Sequence, residues 1–285
     1  MKIGVLGLGR MGHALAERLL EKGHEVVVWN RSPGKATELV QAGAKEADSI
    51  AEAVSGADVA VTVLANDHAV RDVALGENGV VTSLGPDAIY VDSSTISPEL
   101  SEELGKAAGP DRFVSAPILG APMAVRSGQA TYLAGGQGPV LDRLEPMLSS
   151  LAANVRRYEQ PSQAAAAKLA SNLMLLAGVV ALAESFAVGH AGGLSDDQLR
   201  DLLQESPMVA PGLRNRFEGI LTGEQTPWWT TTLGAKDARL AAALAQSAGI
   251  ETPVTDAVHA RFAEAAARGH DEDDITAVGQ LYRPA

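Results

Sequence analysis

The chain begins with an alternation of hydrophobic periods. Residues 3–6 form a short apolar run rich in strand-forming residues, a glycine turn follows, and Leu15, Leu19 and Leu20 then recur at helical spacing until Gly23 marks a helix end. Residues 25–29, Glu-Val-Val-Val-Trp, read as a second apolar strand. A crossover of this kind is right-handed, which makes the two strands parallel. Apolar runs at 59–64, 89–91 and 113–116, with helical stretches such as 33–41 between them, continue the pattern and predict a doubly wound parallel sheet.

The alternation stops there, and after Tyr158 the periodicity is helical almost throughout. Pro161 suits a helix start, a long Ala/Leu-rich stretch runs to about Gly189, and Gly192-Gly193 breaks it. Further helices are expected at 195–204, 236–248 and 254–268, separated by Pro211, Gly223, Pro227 and Gly249. The run from 169 to 183 carries no charge, but Lys168 and Glu184 bound it and Ser171 and Asn172 add polarity. It falls short of the roughly 20 apolar residues a membrane span needs, so it is read as a buried helix. Asp271-Glu272-Asp273-Asp274 reads as a solvated loop or helix start.

These patterns predict an α/β domain over 1–160 and an all-α domain over 161–285, joined by the long helix. At 285 residues, two domains of ordinary size are expected. Lys and Arg number 23 against 35 Asp and Glu, a formal net charge of −12 with no basic stripe, which argues against a nucleic-acid partner. With no cysteine, a disulfide, a thiolate nucleophile and a cysteine-ligated metal are all excluded, and redox chemistry has to come from a bound cofactor. The N-terminal apolar run is too short for a signal peptide, and a cytoplasmic protein is expected, without a membrane partner. The six histidines are scattered, with no pair spaced for zinc, and no G-x-S-x-G turn is present, so neither a metal site nor a serine nucleophile is expected.

The chemistry is concentrated in two places. Gly7-Leu8-Gly9-Arg10-Met11-Gly12 matches G-x-G-x-x-G immediately after a strand and at the opening of a helix. In this Rossmann arrangement Gly7 permits the tight turn, Gly9 lets the backbone approach a pyrophosphate, and Gly12 allows close helix packing, while the helix N-terminus offers N–H groups and partial positive charge. Cofactor choice is read at the end of the second strand, where an acidic residue would hold the NAD ribose. Trp29-Asn30-Arg31-Ser32-Pro33-Gly34-Lys35 carries Asn30 there, with Arg31 and Lys35 placed to pair a 2′-phosphate, so NADP(H) is preferred and NAD(H) is the alternative. The second place is the long helix, where Lys168 and Asn172, four residues apart, share a face. By composition alone, such a lysine simply snorkels its charge to water.

Taken together, Val5-Leu6-Gly7-Leu8-Gly9-Arg10-Met11-Gly12, Asp92-Ser93-Ser94-Thr95-Ile96-Ser97-Pro98, Ala116-Pro117-Ile118-Leu119-Gly120, Lys168 with Asn172, and Lys236-Asp237 resemble the β-hydroxyacid dehydrogenase family, in family order and over nearly the whole chain. The resemblance implies that Lys168 is the general acid and base and that Asn172 holds the substrate, in a cleft between the domains. It further implies that Leu64, Ala65, Thr95 and Lys236 contact the cofactor, and that Ser94, Leu119, Gly120 and Ala121 face the substrate. A pair with Asp237 is the plainer reading of Lys236. The family's substrate loop usually reads Ala-Pro-Val-Ser-Gly-Gly; here Leu119 removes the hydroxyl and Ala121 replaces a glycine, which weakens a carboxylate anchor and favours a less polar substrate. Trp228 and Trp229 fit apolar walls of that pocket, a core role or a subunit contact.

The N-terminal part, including Val28-Trp29-Asn30-Arg31-Ser32-Pro33, also looks like imine reductases. Those enzymes generally carry Asp or Tyr in place of Lys168. A neighbouring ammonium would repel an iminium, so Lys168 favours a carbonyl or alcohol substrate. An imine reductase or a non-catalytic dinucleotide-binding module are the rival readings. The long apolar helix is hard to cover with short ones, so a homodimer or homotetramer is expected.

Overall fold

The structure, a computed structural model, describes residues 1–224 and 227–283. The chain divides into two compact units, Met1–Lys168 and Leu169–Ala285.

The first unit runs β1 (Lys2–Leu6), α1 (Arg10–Glu21), β2 (Glu25–Trp29), α2 (Thr37–Gln41), β3 (Lys45–Glu46), α3 (Ile50–Val54), β4 (Val59–Thr62), α4 (Asp67–Leu75), α5 (Val80–Ser83) and β5 (Ile89–Asp92). It continues through α6 (Pro98–Ala108), β6 (Phe113–Ser115), β7 (Ile118–Leu119), α7 (Pro122–Arg126), β8 (Thr131–Gly135), α8 (Gly138–Leu151) and β9 (Asn154–Tyr158) into α9 (Pro161–Ala191). The sheet order is β3-β2-β1-β4-β5-β6-β8-β7, with β9 on β8. Strands β1 to β6 pair in parallel, whereas β8 is antiparallel to β6 and β7 and parallel to β9. Both faces of the central strands are covered, which is why their sequences read as unbroken apolar runs. Ile3, Val5, Val28, Val61 and Val91 point into one core with Leu15 and Leu19 of α1, and Leu6, Ala60, Tyr90 and Phe113 point into the other with Leu100 and Leu104 of α6.

The observed sheet extends beyond the one expected from the apolar runs, which ends at residue 116: β7, β8 and β9 follow. The helix expected at 33–41 is confined to Thr37–Gln41, because Pro33-Gly34 is a turn in which Gly34 has φ +79°. Helix α1 begins at Arg10, so Arg10, Met11 and Gly12 form its first turn.

In the second unit, the remainder of α9 is followed by α10 (Asp196–Gln204), α11 (Pro211–Arg214), α12 (Phe217–Thr222), α13 (Thr231–Ser247), α14 (Pro253–Ala265), a π turn (Ala266–His270) and a 3₁₀ segment (Ile275–Tyr282). By length and composition α9 would pass as a membrane span. Leu176, Val179, Ala183 and Phe186 instead enter a core with Leu199, Leu213, Phe217, Phe262 and Ile275. Glycines let the neighbours come close, Gly178 receiving Leu213 and Gly189 receiving Leu199. The acidic run expected to be solvated is not uniformly so. Asp274 is buried, its Oδ1 bonded by Arg216 at 2.6 Å and its Oδ2 by the backbone N–H groups of Trp228 and Trp229. Four donors, counting Thr276 N–H, satisfy a carboxylate that would otherwise be costly to bury.

Candidate active site

Each glycine of the turn has a distinct physical cause. Gly7 has φ +101°, which strains any other residue, and a Cβ there would lie less than 3.0 Å from the Val63 carbonyl oxygen. A Cβ on Gly12 would likewise fall within 3.0 Å of the Gly7 carbonyl oxygen, so α1 closes on the turn only because Gly12 has no side chain. Gly9 is different: its backbone is extended (φ −69°, ψ −179°) and an added Cβ would meet nothing within 4 Å. The open space over Gly9 lies on the approach to the start of α1. Gly9 brings no side chain to cap the helix, and no acid stands in its first turn. The first backbone bond accepted by the cap is His13 N–H to Gly9 O at 2.9 Å, leaving the N–H groups of Arg10, Met11 and Gly12 outside the helical ladder. Open space, free donors and the positive end of a helix dipole fit a pyrophosphate. Strand β1 lies between β2 and β4, so the turn is at the point where the strand order reverses, the usual crevice for a dinucleotide.

Asn30 is tied to this turn. Its Oδ1 accepts from Leu8 N–H at 2.9 Å and its Nδ2 donates to Ser32 O at 2.9 Å, so the amide joins the glycine turn to the loop after β2. An aspartate could accept the first bond but not donate the second. Arg31 and Lys35 are exposed on that loop, and among the described residues neither has an ion-pair or hydrogen-bond partner.

The loops after β4 and β5 are joined by a buried polar chain that the sequence reading missed. Leu64 N–H donates to Ser94 Oγ at 2.9 Å, and Ser94 Oγ donates to Asp92 Oδ1 at 2.8 Å. Thr62 Oγ1 donates to the same Oδ1 at 2.6 Å and lies 2.9 Å from Tyr90 Oη. Since the one hydroxyl proton of Thr62 is committed to Asp92, Tyr90 is the donor to Thr62. Asp92 and Tyr90 are fully buried, and burial raises the Asp92 carboxyl from 3.8 to about 6, opposed by the bonds from Thr62 and Ser94 and aided by the charge of Asp67. Burial also pushes the Tyr90 phenol well above its ordinary value. A charged residue closing the apolar run Ile89-Tyr90-Val91 was the signal available in the sequence. The hydroxyl of Ser94, expected at the substrate, takes part in this chain; Ala65 is exposed and Thr95 half-buried nearby in sequence.

Lys168 lies on α9, and its ammonium donates to the Ile118 carbonyl at 2.6 Å. It is thereby held at the strand that leads into Leu119-Gly120-Ala121. Leu119 pairs with Thr131 and is half-buried; Gly120 has φ +138°; Ala121 precedes α7 without offering a capping side chain. The Ala124 methyl lies 3.1 Å from where a Cβ on Gly120 would sit, so it fills the space over that glycine.

Within the second unit, Asn172 Nδ2 donates to Asp237 Oδ2 at 2.7 Å, and Lys236 Nζ stands 2.9 Å from Asp237 Oδ1 in an ion pair. Asp237 and Asn172 are both buried. The carboxylate only accepts, so it fixes the Asn172 amide with its NH₂ inward and its carbonyl oxygen turned the other way. Trp229 is half-buried on the Asp274 anchor, and Trp228 stacks on Arg216, 4.9 Å from the ring centroid.

Residues 2–159 match the family model described as the NAD binding domain of 6-phosphogluconate dehydrogenase, and residues 162–282 match that of the NAD-binding domain of NADP-dependent 3-hydroxyisobutyrate dehydrogenase. The chain belongs to the β-hydroxyacid dehydrogenase family. It is an NAD(P)-dependent oxidoreductase of that family. Among the relatives of this dehydrogenase, the uncharacterized oxidoreductase YfjR of Bacillus subtilis is 32% identical over 98% of each chain. Glyoxylate/succinic semialdehyde reductase 1 of Arabidopsis thaliana is 30% identical over 98% of this chain and 97% of that one. Cytokine-like nuclear factor N-PAC of Xenopus tropicalis is 31% identical over 99% of this chain, which spans about half (53%) of that longer protein. Of the solved structures, 3-hydroxyisobutyrate dehydrogenase from Salmonella typhimurium superposes with TM-score 0.88 at 26% identity, covering 99% of both chains. An imine reductase from Pseudomonas sp. superposes with TM-score 0.63 at 25% identity, also covering 99% of both.

Proposed function

We propose that this dehydrogenase prefers NADP(H), interconverts a small carbonyl compound of the semialdehyde or 3-oxo class with its alcohol, and uses Lys168 as the general acid and base. The observation that carries the reading is the half-buried Lys168 ammonium, held 2.6 Å from the Ile118 carbonyl beside the Leu119-Gly120-Ala121 turn. A nicotinamide, when bound, supplies or takes up the hydride. Lys168 gives a proton to the substrate carbonyl oxygen in reduction and removes it in oxidation, and its charge stabilises the developing alkoxide. Asn172, oriented by Asp237, offers its carbonyl oxygen and remaining N–H to hold the substrate.

The cofactor would rest on the N–H groups at the start of α1 and over Gly9, with Leu64, Ala65 and Thr95 as further contacts. Preference for the 2′-phosphate rests on Asn30, whose amide leaves no acid at the end of β2, and on the unpaired, exposed Arg31 and Lys35. The description of the second matching family model as that of an NADP-dependent enzyme agrees with it. Leu119 in the substrate turn favours a substrate whose recognition depends less on a carboxylate. A homodimer or homotetramer accounts for Met174 and Val188 lying exposed on the apolar α9.

Following NADPH consumption with succinic semialdehyde, other aldehydes, 2- and 3-oxo acids and a cyclic imine tests the reading, with the aldehyde or oxo-acid series expected to turn over. Leu119 and the two tryptophans favour a second reading, an imine reductase on the same scaffold, and turnover of the imine alone would establish it in place of the first. An equal efficiency with NADH would overturn the cofactor preference.

A further inference from the structure

The buried chain beneath the loops after β4 and β5 has a direction. Leu64 N–H points to Ser94, Ser94 to Asp92, Tyr90 to Thr62 and Thr62 to Asp92, so every proton runs toward one oxygen, Oδ1 of Asp92. The strand register puts Thr62, Asp92 and Ser115 side by side on β4, β5 and β6. Tyr90, two residues before Asp92 on the same face, packs against Phe113 at 5.2 Å between ring centroids, which anchors the chain in the core. Only acceptors or a fixed dipole at Oδ1 keep the two hydroxyls aligned. A hydroxyl with no acceptor rotates freely and no longer presents its lone pair to Leu64 N–H.

We propose that Asp92 is a positioning residue for the cofactor: through Ser94 it clips the Leu64–Ala65 loop after β4 to the Ser94–Thr95 loop after β5 and holds both in the arrangement that receives the nicotinamide dinucleotide. Asp92 itself is fully buried and does not touch the ligand. It acts at a distance of two hydrogen bonds, by setting where the Leu64 backbone lies. What the position requires is an acceptor at Oδ1; its second oxygen, Oδ2, is buried with no hydrogen-bond partner among the described residues. Asparagine, which keeps an acceptor oxygen, therefore preserves the clip, and alanine abolishes it. The proposal rests on the reading of these two loops as cofactor-binding.

The test compares Asp92→Asn and Asp92→Ala with the unaltered protein by two measurements. Hydrogen–deuterium exchange at the Leu64 amide, in protein without cofactor, reads the clip directly. Titration of NADPH and of NADH by fluorescence reads what the clip does for binding. Expected is an exchange rate at Leu64 at least about tenfold faster in Asp92→Ala and NADPH affinity at least about tenfold weaker, the loss of one to two hydrogen bonds at about 1.4 kcal/mol per factor of ten. Asp92→Asn should stay within about threefold of the unaltered protein in both, and Ser94→Ala should behave as Asp92→Ala does. Because Asp92→Ala also opens a small void, thermal denaturation is run beside it. A protein that is equally destabilised by Leu100→Ala, a core change of the same unit, yet binds NADPH normally, separates positioning from simple loss of stability. Faster Leu64 exchange with unchanged NADPH affinity in Asp92→Ala overturns the proposal, and so does Asp92→Asn failing as completely as alanine. If the unaltered protein binds neither NADPH nor NADH, the failure lies in the cofactor reading instead.

Discussion

Gly9 and Gly12 belong to one motif, yet the structure assigns them opposite consequences on substitution by alanine. At Gly12 the new methyl meets the carbonyl oxygen of Gly7 at less than 3.0 Å, and both partners are backbone, so the turn itself has to move. Overpacking of this kind costs about 1–3 kcal/mol. At Gly9 the backbone angles suit alanine and the methyl meets nothing within 4 Å. The fold should therefore be unharmed, or gain up to about 1 kcal/mol from a stiffer unfolded chain. The open volume over Gly9 is, however, where the backbone has to come close to a pyrophosphate. A methyl there holds the phosphate away from the N–H groups of Arg10 and Met11. Losing one or two bonds to a charged group, each of about 1.5–3 kcal/mol, weakens binding by about ten- to ten-thousandfold. Urea denaturation and NADPH titration on the two variants give the assay. Gly9→Ala is expected to be as stable as the unaltered protein and to have lost its cofactor, and Gly12→Ala to have lost both stability and cofactor. Normal NADPH affinity in Gly9→Ala would refute the assignment of the cradle.

Two further substitutions test the polar chemistry. Asn30→Asp keeps the bond from Leu8 N–H but turns a carboxylate oxygen toward the Ser32 carbonyl and sets negative charge beside the proposed 2′-phosphate site; kcat/KM with NADPH should fall by about tenfold or more while NADH is spared, in line with one hydrogen bond lost and a repulsion gained. Equal losses with both cofactors would contradict it. Asp92 is raised by burial from 3.8 to about 6, with Tyr90, Thr62, Ser94 and Asp67 as the groups around it. Since the folded value lies above the unfolded one, its ionisation opposes folding: the cost is absent below about pH 4, grows between about 4 and 6, and is complete above, at about 3 kcal/mol. Asp92→Asn should remove that slope, and stability curves of the two proteins that stay parallel from pH 4 to 7 would show the reasoning to be wrong.

How much of this was legible beforehand follows from the range of the signals. The strands at 3–6, 25–29 and 59–64 and the glycine turn are local, since an apolar run, a turn and a helical period each declare themselves within a few residues. Strands β8 and β9 do not. Thr131–Gly135 is built partly of small residues, and Asn154–Tyr158 is a largely exposed segment with two arginines, the polar character of an edge. Helix α13 begins at Thr231, five residues before the start read from periodicity, because its first turn is set by a Thr230 side-chain cap and by the loop at Asp271 and Asp273.

The site divides in the same way. Lys168 and Asn172 could be placed on one face from their spacing, and Lys236 could be paired with its neighbour Asp237. That Asp237 also orients Asn172, 65 residues away, follows only from the fold. The same holds for Asp92, whose partners Thr62 and Leu64 come from another strand and its loop, and for Asp274, which looked solvated in an acidic run until Arg216, 58 residues earlier, was found on it. Buried acids give no local pattern, because what makes their burial tolerable is a set of donors contributed by distant segments.

The central claim is that Lys168 moves the proton that accompanies hydride transfer. Lys168→Ala should fold and bind NADPH with an affinity within about twofold of the unaltered protein, while kcat for the aldehyde or oxo-acid substrate falls by about 10²–10⁴, the contribution of a positioned acid. Pre-steady-state NADPH oxidation on that variant makes the measurement, and a hydride-transfer rate within a few-fold of the unaltered protein would contradict the account.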